Sequence, residues 1–338
     1  MGDEQKLVEL FTQLNGADNT ARNNAEAALK EARTKTPGTT CGLFVKVIAS
    51  AQVSLENRIY GATLFRRMCN PHAQTYVLDK MSENERKEVK DVMLNLCLNE
   101  EQEMIIRSVA EVIKVLAKDS GAWPELLQKL FEMFQKTTAV HREYALDILA
   151  GMVDVQKKML LSKSADVGQL LTRAFQDTSK PVRAAAVDFV CEMAQAYKKD
   201  EWGPLQALWP SIIDASKFCI DDQESFSRIL NCLSDTASFQ AGFFRSHLRD
   251  IITFVGQIIM AKDNVDQGVR AQALEIPLCL AEAKPKMVAK VDNFVTDLSQ
   301  VLLHMLTEIE EDEDWPKNLD EEDEDVPEDS AYGAAEMG

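Results

Sequence analysis

Glycine and proline together supply only 24 of the 338 residues, and few stretches alternate between apolar and polar with period two. Both shortages count against sheets and their turns, so the chain reads as all-α. Nowhere do about 18 apolar residues run together, and the N-terminal MGDEQKLVEL lacks a basic region followed by an apolar core. A soluble intracellular protein with no membrane partner is expected. There is no Gly-rich phosphate loop, no Gly-x-Ser-x-Gly and no His-Glu-x-x-His. The four histidines (His72, His141, His247, His304) lack ligand spacing, and the seven cysteines are odd in number and never closer than 13 residues. Neither an enzyme nor a cofactor, metal centre or disulfide framework is expected. The cysteines read as buried thiols and His141, at the head of an apolar stripe, as a partly buried structural histidine.

What the sequence has in excess is negative charge, and it is unevenly placed. The net charge is -18, and residues 308–338 hold 15 of the 55 acidic groups but one of the 37 basic ones. The tail therefore carries -14 and the remainder about -4. Phosphates would be repelled and Lys/Arg-rich surfaces attracted, which argues against direct nucleic-acid binding and for basic partners. A solvated, disordered acidic tail satisfies the same composition. Trp315, embedded among 14 carboxylates between Glu308 and Asp329, is unusual for a purely solubilising tail and is a candidate anchor against the body or a partner.

The body is organised by a repeat. Arg22, Arg58, Arg107, Arg142, Arg183, Arg228 and Arg270 follow one another at intervals of 36, 49, 35, 41, 45 and 42 residues. One helical turn beyond each stands a small residue, Ala25, Gly61, Ala110, Ala145, Ala186 or Ala273, except for Asn231 after Arg228. A period near 40 with two amphipathic helices per repeat is the pattern of HEAT arrays, whose members bury their apolar faces only by stacking into an α-solenoid. Helix pairs are expected at 3–35, 38–69, 82–118, 123–156, 165–198, 203–238 and 243–284. One further helix is expected at 287–307, giving a solenoid over 1–307 and an acidic segment over 308–338.

The fifth repeat is the clearest. Val182, Ala185, Ala186, Phe189, Val190, Met193, Ala194 and Tyr197 form a full apolar stripe behind Pro181. Pro277 interrupts the seventh repeat's second helix and is expected to kink it or end it early. The arginine ladder admits two roles. It can stitch neighbouring repeats through carboxylates or carbonyls, with Asp18 and Asp177 just upstream as receivers, or it can meet a partner on the concave face. Arg66 and Arg67, two turns beyond Arg58, form a small basic cluster that reads either as solvated surface or as a binding site.

Four segments carry a resemblance: WPELL at Trp123–Leu127, HREYALDIL at His141–Leu149, Arg22-x-x-Ala25-Glu26-x-x-Leu29, and above all IEEDEDW at Ile309–Trp315. Together they resemble the importin-beta superfamily of nuclear transport receptors, within the importin beta-three or Ran-binding-protein-five branch. The resemblance covers the whole chain, which is similar to the N-terminal portion of much longer proteins. It implies a nuclear import receptor fragment, a monomer moving between cytoplasm and nucleus and passing transiently through the pore. The GTP form of Ran would meet the inner helices of the first repeats, where Arg22, Glu26, Arg58, Arg66 and Arg67 match by pattern. Glu310, Glu311, Asp312, Glu313, Asp314 and Trp315 would form an acidic loop over Ran or over basic cargo such as ribosomal proteins or histones. Nucleoporin Phe-Gly repeats would enter outer grooves around repeats five to seven. The alternative is a non-transport HEAT scaffold or an acidic chaperone of basic proteins.

Overall fold

The computed structural model describes residues 2–119, 123–262 and 264–307. Helix dominates, and no strand occurs among the described residues. The first compact unit, Met1–Lys290, contains seven helix pairs. In chain order these are α1 (Asp3–Asn15) with α2 (Asn19–Lys35), α3 (Pro37–Ala49) with α4 (Leu55–Cys69), and α5 (Glu83–Asn99) with α6 (Glu103–Asp119). The fourth pair is α7 (Pro124–Phe134) with α8 (Ala139–Gly151). An additional helix, α9 (Val153–Ser162), then precedes α10 (Ser164–Phe175) and α11 (Lys180–Ala196). A four-residue α12 (Gly203–Gln206) leads into α13 (Trp209–Cys219) and α14 (Gln223–Gln240), and the last pair is α15 (Leu248–Ile259) with α16 (Gln267–Ala283). A short α17 (Pro285–Val288) closes this unit. The second compact unit begins at Val291, and its described part contains α18 (Phe294–Leu306), which starts behind Asn293 in the left-handed region at φ 60°.

Local chemistry sets the helix starts. Asp18 and Ser54 accept amide hydrogens at the starts of α2 and α4, Ser82 and Glu85 form a reciprocal capping box on α5, and Asp222 and Asp266 cap α14 and α16. Pro37, Pro181 and Pro210 sit in first turns, where the missing amide hydrogen has no partner to lose. The second helices α4, α6, α8, α11, α14 and α16 then stack consecutively in one layer, and α1, α3, α5 and α7 stack beside them in the other. Each helix can bury its apolar stripe only against such neighbours.

The small residue beyond each ladder arginine lies at the closest approach. Ala25, Ala110, Ala145, Ala186 and Ala273 are all fully buried, and at Gly61 an added Cβ would stand 3.0 Å from the Phe11 ring. That ring packs on Phe44 (5.3 Å) and Tyr60 (5.7 Å), and Phe44 stacks on Phe65 (6.0 Å), filling the joint between the first two repeats. In the middle of the stack α11 is covered on nearly every side. Its expected stripe is buried, and so are Ala184, Val187 and Cys191.

Three expectations need correction. Tyr197 is buried with the rest of the stripe but lies outside the helix: it is the C-cap of α11, in extended backbone, with Lys157 5.1 Å above its ring. The fourth pair does not run to 156, because the chain breaks at Met152 and starts the separate α9, which packs on α8, α10 and α11. Pro277 does not end its helix, for α16 continues to Ala283. Ala273, whose carbonyl the proline opposes, is fully buried, Pro277 is itself buried, and packing on α14 and α15 outweighs a penalty of about 3 kcal/mol. His141 is buried beside Thr138, and burial together with Lys136 lowers its pKa. Six of the seven cysteines are buried free thiols, Cys279 being half-buried.

Candidate functional site

The ladder arginines stand in the first turn of the second helices, beside the C-terminal end of the first helix of their own pair. That end carries unpaired carbonyls and the negative pole of the helix, so a guanidinium there is favoured twice. Arg22 donates to the Gly16 carbonyl (2.7 Å), Arg58 to Ile48 (2.7 Å), Arg142 to Lys136 and Thr137 (3.1 and 2.7 Å), Arg183 to Asp177 (2.6 Å) and Arg270 to Ile259 (3.2 Å). Several also reach the following repeat. Arg58 pairs with Glu100, Arg142 grips the Asp177 carboxylate with two bonds (2.6 and 2.9 Å), and Arg183 lies 3.8 Å over the Phe218 ring. Burial pushes the Asp177 and Glu100 carboxyls up, but bonds from their arginines and from backbone amides outweigh it and hold both below the usual range. These five arginines thus stitch within and between repeats, whereas Arg107 lines the groove between α4 and α6. Asp18, expected to receive Arg22, instead caps α2 through the Thr20 and Ala21 amides.

Arg228 is not a rung. It stands two residues further into its helix than Arg58 does, about 200° around the axis, which also accounts for Asn231 in place of a small residue. From there it pairs backward with Asp188 on α11 (2.7 Å) and with Asp147 (3.0 Å) and Glu143 (3.6 Å) on α8. Asp147 also holds Lys114 (2.9 Å), Lys114 holds Glu111 (2.6 Å), and Glu111 meets Arg66 (3.4 Å). An unbroken line of ion pairs therefore crosses α4, α6, α8, α11 and α14. Burial pushes the Glu143 carboxyl up to about 7, against the pull of Arg228. Sequence reasoning missed this line, since the pairs that join different helices lie at least 33 residues apart.

The expected partner-binding residues separate. Arg58 is only 5% exposed and its guanidinium is committed, so it acts inside the fold. Arg22 is half-buried, and Glu26 is exposed one turn further along α2. Arg66 is half-buried and Arg67 exposed, side by side at the end of α4. No hydrogen bond or ion pair joins Arg22 or Glu26 to Arg66 or Arg67 among the described residues. Glu310, Glu311, Asp312, Glu313, Asp314 and Trp315 lie outside the described residues.

Two grooves flank these layers. Between α4 and α6, Ile59, Ala62, Thr63, Arg66, Met104 and Arg107, with Ser108 and Glu111, line a groove of about 320 Å³, and Met104 there is 56% exposed. On the layer of first helices, Leu127, Phe131 and Met159 with Gln128, Glu132 and Lys163 line a groove of about 560 Å³ between α7 and the α9–α10 turn. The extra helix α9 makes that second groove, so the sequence, read without α9, offered no signal for it. Among the described residues no helix is long and apolar enough to cross a membrane.

Paired helices stacked in two layers, with arginines at the repeat joints, define a HEAT-type α-solenoid. Family models described as "IPO5-like, TPR repeats" and "Importin repeat" match residues 99–254 and 262–337. Importin subunit beta-3 of Saccharomyces cerevisiae is 26% identical over 337 residues, covering 94% of this chain and 30% of the relative. A probable importin-5 homolog of Dictyostelium discoideum is 20% identical over 328 residues, with the same shares. The crystal structure of Kap121p bound to RanGTP superimposes with a TM-score of 0.80 at 24% identity, over 95% of this chain and 30% of that one. Kap121p bound to Nup53p gives 0.77 at 25% identity, over 96% and 31%. The chain is similar to importin beta-three proteins along nearly its whole length, carries importin-type repeats over most of it, and spans about 30% of the length of the relatives it matches.

Proposed function

We propose that this chain is the Ran-binding part of a nuclear import receptor, working by exchange of protein partners rather than by catalysis. The observation that carries the reading is the α4–α6 groove. It combines an exposed methionine with Arg66 and Arg107, is bordered by the exposed Arg67, and lies on the second helices of repeats two and three. An apolar contact beside two arginines, one of them shared with Glu111, suits a protein surface of mixed apolar and acidic character. A Kap121p structure bound to RanGTP supports naming Ran in its GTP form as that partner. Arg66, Arg67, Arg22 and Glu26 are the residues assigned to contact it, and Arg58 supports them from inside.

Kap121p structures with Nup53p and with Pho4p support nucleoporin and cargo binding as further activities. Phe-Gly repeats would use the groove between α7 and α9–α10, where Phe131 and Met159 offer apolar contacts. That groove lies at repeats four and five. Basic cargo such as ribosomal proteins or histones would be drawn by the carboxylates of Glu310–Asp314 with Trp315 as an anchor, and the chain would cycle between cytoplasm and nucleus through the pore. Titration calorimetry with Ran loaded with GTP or GDP tests the reading. The GTP form is expected to bind more tightly, and Arg66→Glu with Arg67→Glu to weaken it by about tenfold or more. Equal affinity for both nucleotide states would instead support a passive scaffold.

A further inference from the structure

At the end of the first compact unit, cations converge without a counter-charge. A pocket of about 460 Å³ lies between the 3-10 turn Ala241–His247 and the α16–α17 junction, lined by Arg245, Lys284, Lys286 and Lys290 around Ala283, Pro285 and Met287. No carboxylate lines it. None of these four cations makes an ion pair among the described residues, whereas Lys114, Arg142, Lys157, Lys180 and Arg228 all do. Nearby, Glu282 is exposed but outside the lining, and Asp250 faces His247 at 3.5 Å. Holding four like charges around one cavity costs the fold stability unless an anion relieves the repulsion.

We propose that this pocket is a docking site for a short acidic peptide that carries one large apolar side chain. The volume lies within the range of pockets that enclose a ligand group, and Ala283, Pro285 and Met287 give an aromatic ring an apolar seat. The surrounding lysines and arginine then meet carboxylates on either side of it. A long nucleic acid is disfavoured by the same physics, because the chain's net charge of -18 repels an extended polyanion outside this one patch. The pocket is far in sequence from the α4–α6 groove, so its fate is independent of the Ran reading.

Fluorescence anisotropy with a labelled Glu-Glu-Trp-Glu-Glu peptide and the full chain tests the proposal. Binding is expected at low salt. Lys284→Glu with Lys286→Glu should weaken it by about tenfold or more, and Arg245→Gln and Lys290→Gln by about two- to threefold each. Replacing the peptide's tryptophan by serine should weaken binding comparably. Circular dichroism of each variant checks that the helices persist, and the serine peptide probes the unaltered protein. Absence of binding, equal binding by the charge-reversed variant or indifference to the tryptophan would overturn the proposal. So would displacement of the peptide by an oligothymidine at equal charge concentration.

Discussion

Arg58 shows how a residue that reads as a partner contact becomes a structural one. Its sequence surroundings are those of every ladder arginine, yet it is buried between the end of α3 and Glu100, the C-cap of α5. Removing it leaves that half-buried carboxylate without its counter-charge and the Ile48 carbonyl without its donor, so Arg58→Ala is expected to cost about 2–3 kcal/mol in denaturant unfolding. Arg58→Lys should recover only part of the loss, since an ammonium lacks the fork that reaches both Ile48 and Glu100. Glu143 makes the opposite case. Its folded pKa of about 7 lies above the ordinary value of 4.5, so the ionised form is penalised in the fold. The penalty is complete above the folded pKa and vanishes below the unfolded one, so stability is lost as pH rises through about 7. Glu143→Gln is therefore expected to melt higher than the parent near about pH 8, with the gap closing near about pH 5. The arginine repeat was legible in the sequence. Which arginines turn inward was not, because burial depends on the next repeat, and only Asn231 hinted that Arg228 stands out of register.

Among the elements, α11 was legible to its core because apolar residues at helical spacing need no knowledge of their neighbours. Phe189 is fully buried there, and Phe189→Ala is expected to cost about 3–5 kcal/mol. Contacts in a stack of repeats are mainly between neighbours, so hydrogen exchange should report the loss around α8, α11 and α14 and leave α1–α4 unchanged. Uniform destabilisation would contradict a repeat stack. The helix α9 escaped notice because its apolar positions continue those of α8, and the break at Met152 carries no proline and only Gly151 before it. At Pro277 the converse holds: of the two outcomes a local rule allows, a kink or an early end, the early end is excluded because packing on α14 and α15 carries the helix on to Ala283. Elements set by their own periodicity were readable, whereas elements set by tertiary packing were not.

At the scale of the molecule, repeats stack through nearest neighbours but Arg228 ties α14 to α8 across α11, and the line of ion pairs extends that tie to Arg66 in the α4–α6 groove. A partner that engages Arg66 competes for Glu111 and so acts on one end of this line. Two sites joined by such a line have a physical route by which partners can be negatively coupled. The groove itself was only half legible: Arg66 and Arg67 stood out in the sequence, while Met104 and Arg107 join them only through the stacking of α4 on α6. The measurement that tests the central claim most directly is amide hydrogen exchange of this chain with Ran in each nucleotide state. Ran-GTP is expected to protect the end of α4 and the first turns of α6, and Ran-GDP at the same concentration to leave them unchanged. No protection there with Ran-GTP, or the same protection with both forms, would contradict the assignment of that face to nucleotide-dependent partner binding.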